Sequence, residues 1–326
     1  METNFKDSYN RKYQYNRLKS GIIFVAIASY RDTRCLQTVK NLFEMADKPH
    51  KLIIGICQQN DSNDPDCGMI PKDRLCQVKI MRLTHNQAKG PTWARYLSSH
   101  LWDGEEFYLQ VDAHMNFIQG WDTSLKEMRN MLGVRKNIIT FYPPPDTTTT
   151  DLNSVTVLTS SATINAKGEM ISKGEVKPKI SYPQETNFVS AGFIFTNWEF
   201  LMDIPFDPYL PYLFQGEEPL LAMRLWTSGW KIFNPTHCLC DHYYERLGEP
   251  KFWDDHTEKY NKWNKVSKLR ALVFLGVIKK PSDVPPEIFK FKEIYGPGRA
   301  RSVDAWLAML KTKFGIDWKA AFGKRT

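Results

Sequence analysis

The stretch "GIIFVAIASYRDTRCLQTVKNLFEMADKPHKLIIGICQQ", Gly21–Gln59, decides the fold class. Its first ten residues are a near-continuous apolar run, the pattern of a strand buried on both faces of a parallel sheet. Leu36, Val39, Leu42, Phe43 and Ala46 then recur at helical spacing and predict a helix beginning near Asp32–Thr33. "KLIIGICQQ", Lys51–Gln59, predicts a second buried strand. Strand, helix and strand at this spacing make a βαβ unit.

The pattern continues outward. "NDSNDPDCG" is a polar loop, Cys76–Thr84 predicts a third strand, and "GPTWARYLSSHLW" predicts a helix with Pro91 in its first turn, where proline is tolerated. Glu105–Asp112, "EEFYLQVD", predicts a fourth strand. The order is that of a doubly wound half, an α/β arrangement of nucleotide-binding type. Ligands of such sheets bind beyond the carboxyl ends of the strands. Ser29–Asp32, Gln58–Asp61 and Asp112–His114 all lie at such ends.

Further on, the pattern predicts a helix over Gly120–Leu132 and a strand over Asn137–Phe141. A turn-rich segment follows over Pro143–Val155, then an antiparallel excursion from Val155 to Phe195. "GEEPLLAMRLWTSGW" predicts a helix that stops at Gly229, and "KIFNP" a short edge strand. From His256 the chain reads as mixed and charged, with an amphipathic "SVDAWLAMLKTKFGI" near the end.

Composition narrows the function classes. The 326 residues carry a net charge of +8, but the basic residues are scattered rather than gathered in a nucleic-acid-binding arm. A phosphate-bearing small molecule or an acidic protein surface fits that charge. Six cysteines are sparse for this length and Cys57 sits inside a strand, so free thiols and a cytoplasmic location are expected. Cys238 and Cys240 lack the two-residue spacing of a zinc knuckle. The N-terminal stretch has no apolar core of signal-peptide type, and no run of 18 apolar residues predicts a membrane span. The P-loop, the dinucleotide fingerprint, the G-x-S-x-G elbow and H-E-x-x-H are all absent.

Asp112 and His114 are the first chemical candidates. In an extended segment residues i and i+2 point the same way. A carboxylate oxygen and an imidazole nitrogen could then meet one manganese, zinc or iron ion. The alternative is a strand end that caps a turn. His237, His242 and His256 are candidates for a further ligand, with "CDHYYER" around His242 the most suggestive. Glu217 and Glu218 open a helix; they either complement its dipole or face a ligand's hydroxyls. Lys89 and Arg95 flank a helix start that could hold an anion, or they are simply solvated.

Taken together and in order, "IFVAIASYRD", "KGPTWARYL", "YLQVDAHMNF", "SAGFIFT", "PFDPYLPYLFQGEEPLLAMRLWTSGWKIFNP", "DHYYER" and "YGPGRARSVDAW" resemble the cytosolic polypeptide and hydroxyproline N-acetylglucosaminyltransferases, of GT-A type. The resemblance runs from about residue 22 to 318. It implies a Rossmann-like central mixed sheet flanked by helices, with an acceptor-side subregion. It divides the chain into a flexible segment 1–20 and one domain 21–326. That domain has a nucleotide-binding half (21–118) and a sugar and acceptor half (119–326) with a C-terminal helical extension.

The resemblance also implies roles. Asp112, His114 and His242 would hold a divalent cation, manganese, that bridges the phosphates of a UDP-sugar. Ser29, Tyr30 and Asp32 would form the first donor loop, and Arg95 would meet the nucleotide. Ala191 and Gly192 would let backbone approach the sugar, and Glu217 and Glu218 would be the catalytic acidic pair. The implied reaction transfers a sugar, GlcNAc first, with retention of configuration to a protein hydroxyl on hydroxyproline, Ser or Thr. UDP-glucose, UDP-galactose and UDP-GalNAc stay open as donors, as does a glycan acceptor. A non-catalytic nucleotide-sugar-binding protein is the alternative. Pro219 departs from the family's usual less rigid residue.

Overall fold

The computed structural model describes residues 18–146, 151, 153–164, 170–278 and 284–318. The expected flexible segment over residues 1–20 lies almost wholly outside them. Lys19 and Ser20, however, already belong to the first strand.

The strands are β1 (Lys19–Tyr30), β2 (Leu52–Asn60), β3 (Val78–Thr84), β4 (Glu105–Asp112), β5 (Met115–Phe117) and β6 (Asn137–Ile139). There follow β7 (Ser154–Ile164), β8 (Met170–Pro178), β9 (Gln184–Thr186), β10 (Phe193–Asn197), β11 (Lys231–Asn234) and β12 (Cys240–His242). The main helices are α1 (Cys35–Glu44), α2 (Pro91–Ser99), α3 (Trp121–Met131), α4 (Glu217–Thr227), α5 (Thr257–Phe274) and α6 (Val303–Phe314).

The central sheet has the order β3-β2-β1-β4-β10-β6-β11-β9. The β3, β2, β1 and β4 neighbours are parallel, as the βαβ reading expects. β10 runs antiparallel between β4 and β6, which makes the sheet mixed. "KIFNP" is not the expected edge strand: β11 lies inside the sheet, parallel to β6 and antiparallel to β9. The edge beyond it is β9, three residues of "QET" that carry no apolar alternation to read.

Strand alternation builds two cores. Ile23, Val25 and Ile27 of β1 pack on one face with Val39 and Leu42 of α1 and with Trp121 and Leu125 of α3. Phe24 and Ala26 point to the other face, where Tyr96 of α2, Phe200 and Leu225 of α4 cover them. Each such buried side chain contributes about 1.5–3 kcal/mol, and double coverage explains why the strand is apolar throughout. A third core joins Leu220 and Met223 of α4 to Phe274 of α5 and to Trp306 and Leu310 of α6.

Two pairings carry distant residues to the end of β4. Phe193 of β10 is opposite Val111, so Ala191 and Gly192 arrive beside Asp112. His242 of β12 is opposite Met115 of β5, next to His114.

Candidate active site

Asp112 ends β4 with its side chain 27% exposed. Its Oδ1 accepts a hydrogen bond from Arg95 Nη2 at 3.0 Å, and its Oδ2 lies 3.1 Å from His242 Nε2. The His114 and His242 rings stand edge to face, with centroids 4.7 Å apart. Asp112, His114 and His242 each offer one ligand atom, and these atoms lie within 4.8 Å of one another. Asp112 and His114 thus do meet in one space, although not through an extended backbone: β4 ends at Asp112, Ala113 and His114 form a bend before β5, and β12 supplies the third member. His237 and His256 are engaged elsewhere: His237 Nδ1 is 2.9 Å from Thr236 Oγ1, and His256 Nε2 is 2.9 Å from the His85 carbonyl.

The electrostatics are opposed along the site. Burial works against ionising Asp112, but the His242 hydrogen bond and the Arg95 charge more than offset it. The carboxyl is held well below its ordinary range. Asp112 therefore stays an anion, the state a metal ligand needs. Glu217 is the reverse case. Burial, aided by the negative charges of Glu218 and Asp112, pushes it up to about 7 despite its ion pair with Arg95 Nη1. Burial likewise raises Glu218.

Both glutamates occupy the first turn of α4, after Gly216 at φ 104°, so they complement the helix dipole. They also face the site. Glu218 Oε1 accepts from the Ala191 backbone N–H at 3.0 Å, and Oε2 accepts from the Tyr142 hydroxyl. The Ala191 carbonyl is held on its other side by Gln110 Nε2 at 2.5 Å. Gly192 is pressed against the cluster: a Cβ there would lie 2.7 Å from Asp112 Oδ2.

The three residues expected to form the first donor loop divide. Asp32 is buried and its Oδ2 lies 2.6 Å from His114 Nδ1. Burial opposes its charge, but the His114 hydrogen bond and the charge of Arg246 hold its carboxyl below the usual value. Tyr30 donates from its hydroxyl to Asp255 at 2.6 Å. Ser29 is fully buried and turned away, with its Oγ 3.6 Å from Cys67 Sγ. Arg95, expected beside the nucleotide, is itself only 7% exposed and spends both terminal nitrogens on Asp112 and Glu217. Lys89 lies 5.1 Å from the Trp93 ring centre, and the Gly90 start of α2 packs on the Tyr212 backbone.

Sequence reading missed Tyr142, Gln110 and Arg246. Arg246 stands four residues after His242 in the quoted "DHYYER", and the other two offered only isolated polar letters.

One carboxylate and two imidazoles form a mixed oxygen and nitrogen donor set that suits manganese, zinc or iron(II). The residues present fit a divalent cation: the carboxylate is anionic, and the end of β4, the bend after it and β12 bring all three side chains together.

A mixed α/β sheet with this cluster at the carboxyl edge of its parallel half is the GT-A glycosyltransferase arrangement. The family model described as Glycosyltransferase (GlcNAc) matches residues 22–74 and 70–315, and the chain belongs to that family. Among solved structures, GalNAc-T7 with UDP, GalNAc and Mn2+ is similar over 90% of this chain, at 13% identity and a TM-score of 0.57. The present chain spans 58% of the length of that one. S. aureus TarS 1-349 in complex with UDP-GlcNAc aligns over 94% of this chain and 76% of its own, at 12% identity and a TM-score of 0.48. No curated protein matches the chain.

Proposed function

We propose that this chain transfers a sugar, GlcNAc in the first instance, from a UDP-sugar to a hydroxyl on a protein, with retention of configuration. The observation that carries this reading is the cluster of Asp112, His114 and His242 at the carboxyl edge of the parallel strands, in a chain of the GlcNAc glycosyltransferase family. The similar fold of GalNAc-T7, described with UDP, GalNAc and Mn2+, supports a nucleotide diphosphate donor and manganese. Hydroxyproline, Ser and Thr are the acceptor side chains the reading favours. UDP-glucose, UDP-galactose and UDP-GalNAc are the competing donors.

The three side chains would hold the ion. When bound, it supplies Lewis-acid stabilisation of the charge that develops on the leaving diphosphate. The rest falls to the chain's own groups. Arg95 keeps Asp112 anionic and aimed. Glu218 holds the backbone N–H of Ala191 and Gln110 its carbonyl, which fixes the wall against which the sugar would lie. Both oxygens of Glu218 are engaged and Glu217 is paired with Arg95. No nearby glutamate among the described residues is thus free to attack the sugar, so retention would proceed by attack on the departing side rather than through a covalent sugar–enzyme intermediate.

The six cysteines are free, which supports a reducing compartment such as the cytoplasm. No described helix is long and apolar enough to cross a membrane.

The test is a panel of UDP-sugars with and without Mn2+, read as hydrolysis and as thermal stabilisation. A true donor binds the native state and raises its Tm. UDP-GlcNAc with Mn2+ should give the largest rise. A shift with UDP-glucose and none with UDP-GlcNAc replaces the sugar. An Asp112→Ala protein that hydrolyses donor at the wild-type rate removes the metal.

A further inference from the structure

Asp32 lies just beyond the carboxyl end of β1, 2% exposed, and every contact of its carboxylate is directional. Oδ1 accepts the Arg34 backbone N–H at 2.9 Å. Oδ2 faces His114 Nδ1 at 2.6 Å and Arg246 Nε at 3.4 Å. An ionised carboxylate can only accept hydrogen bonds. His114 must therefore carry a hydrogen on Nδ1, and in the neutral ring the lone pair is then on Nε2, the ring nitrogen left to ligate an ion. His242 has no such partner: its Nδ1 is buried and unbonded, while its Nε2 faces Asp112.

We propose that Asp32 is a positioning residue that locks the tautomer and ring orientation of His114 for divalent-cation binding, an inference that rests on the metal reading above. The device belongs to both halves of the site. Arg246, from the segment after His242, reaches Asp32 and also donates to the Tyr30 carbonyl at 3.1 Å and to Glu249 at 2.7 Å. The chain that delivers His242 thus also holds the group that orients His114. An outer carboxylate of this kind is worth about 10–100-fold in metal affinity. An asparagine at 32 would offer an amide donor to Nδ1 and so favour the hydrogen on Nε2, the wrong nitrogen.

Two measurements test this. The first uses unmutated, metal-free protein carrying 15N-labelled histidine, with His114 assigned by its loss in His114→Gln. Long-range 1H–15N spectra at a pH where the ring is neutral should show the hydrogen on Nδ1; a hydrogen on Nε2 overturns the proposal. The second titrates Mn2+ alone, following the free ion by electron paramagnetic resonance. Asp32→Asn should bind about 10–100-fold more weakly, with Asp32→Glu recovering part of the loss and both variants keeping the wild-type circular dichroism spectrum. Binding by Asp32→Asn within twofold of wild type overturns it. Asp112→Ala separates the two levels. If it binds Mn2+ as well as wild type does, the metal reading itself falls and takes this one with it. If it loses binding while Asp32→Asn keeps it, only the role of Asp32 falls. Should Asp32→Asn not fold, the tautomer seen in wild type decides.

Discussion

Arg95 donates through Nη2 to Asp112 Oδ1 at 3.0 Å and through Nη1 to Glu217, so one guanidinium from α2 ties the end of β4 to the start of α4. A lysine is a single compact charge and cannot serve two carboxylates lying in two directions. Arg95→Lys is expected to lower transfer at least about tenfold, the rate equivalent of about 1.4 kcal/mol. Arg95→Met should go further. Breaking a fully buried pair costs about 3–5 kcal/mol, and less is expected here because Asp112 is 27% exposed. Urea denaturation measures the loss, and an unchanged midpoint for Arg95→Met would contradict the bridging role.

Gly192 tests how tightly the backbone is pressed on the proposed metal ligand. An added Cβ would come within 2.7 Å of Asp112 Oδ2, so either the β10 lead-in or the carboxylate must move. Overpacking of this sort costs about 1–3 kcal/mol. Gly192→Ala is expected to weaken Mn2+ binding more than it weakens the fold, because Asp112 is the group that yields. Calorimetric titration with Mn2+ beside a thermal melt separates the two. Full affinity with a large drop in Tm would show that the strand gives way instead.

Glu217 predicts a pH dependence of stability in the metal-free protein. Its folded value of about 7 exceeds the usual 4.5, so the native state holds a proton that the unfolded chain has lost between those values. Stability from this group is complete below about 4.5 and is lost as pH rises to about 7. At about 1.4 kcal/mol per unit the span reaches up to about 3 kcal/mol. Glu217→Gln removes the slope, so the variant should gain on wild type as pH climbs through that window. Parallel denaturation curves at pH 5 and pH 8 with no change in the difference would refute it.

Arg270 and Asp207 are both almost fully buried, with Nε to Oδ2 at 2.7 Å. Arg270 also donates to the Ile288 and Lys290 carbonyls at 2.6 and 2.9 Å, pinning the chain after α5. Arg270→Met leaves a buried charge without its partner and should cost about 3–5 kcal/mol. Asp207→Asn in the same protein should recover part of that, since the stranded charge is gone. Additive losses in the double variant would argue against the pair.

The places where sequence reading failed have a common cause. α5 runs 18 residues, yet the sequence from His256 reads as mixed and charged. Its buried face includes Asn264, Ser267 and Arg270, which bond the Tyr212 carbonyl, the Pro211 carbonyl and Asp207. Hydrophobic periodicity does not find a helix whose inward face turns apolar only at Ala271 and Phe274, near its end, and is otherwise polar and satisfied by groups of other segments. β9 was missed because three polar residues form a strand only when β11 offers an edge to pair with. The ion pairs of Arg95 were not legible because its letter and its place near a helix start say nothing about two acids farther along the chain.

Sequence alone determined the parallel half of the sheet, since doubly buried strands must be apolar throughout and the helix period between them is local. It also put Asp112 and His114 together at the end of a strand, because they are only two residues apart, although a bend at Ala113–His114 rather than extended backbone brings them together. Tertiary structure alone decided that β12 sets His242 beside them and that β10 lays Gly192 on Asp112. It also decided that the Asp32 carboxylate lies 2.6 Å from His114 Nδ1. Those are relations between strand pairings and loop ends far apart in the chain. They arise only when backbone hydrogen bonding and side-chain burial are satisfied at once across the whole sheet.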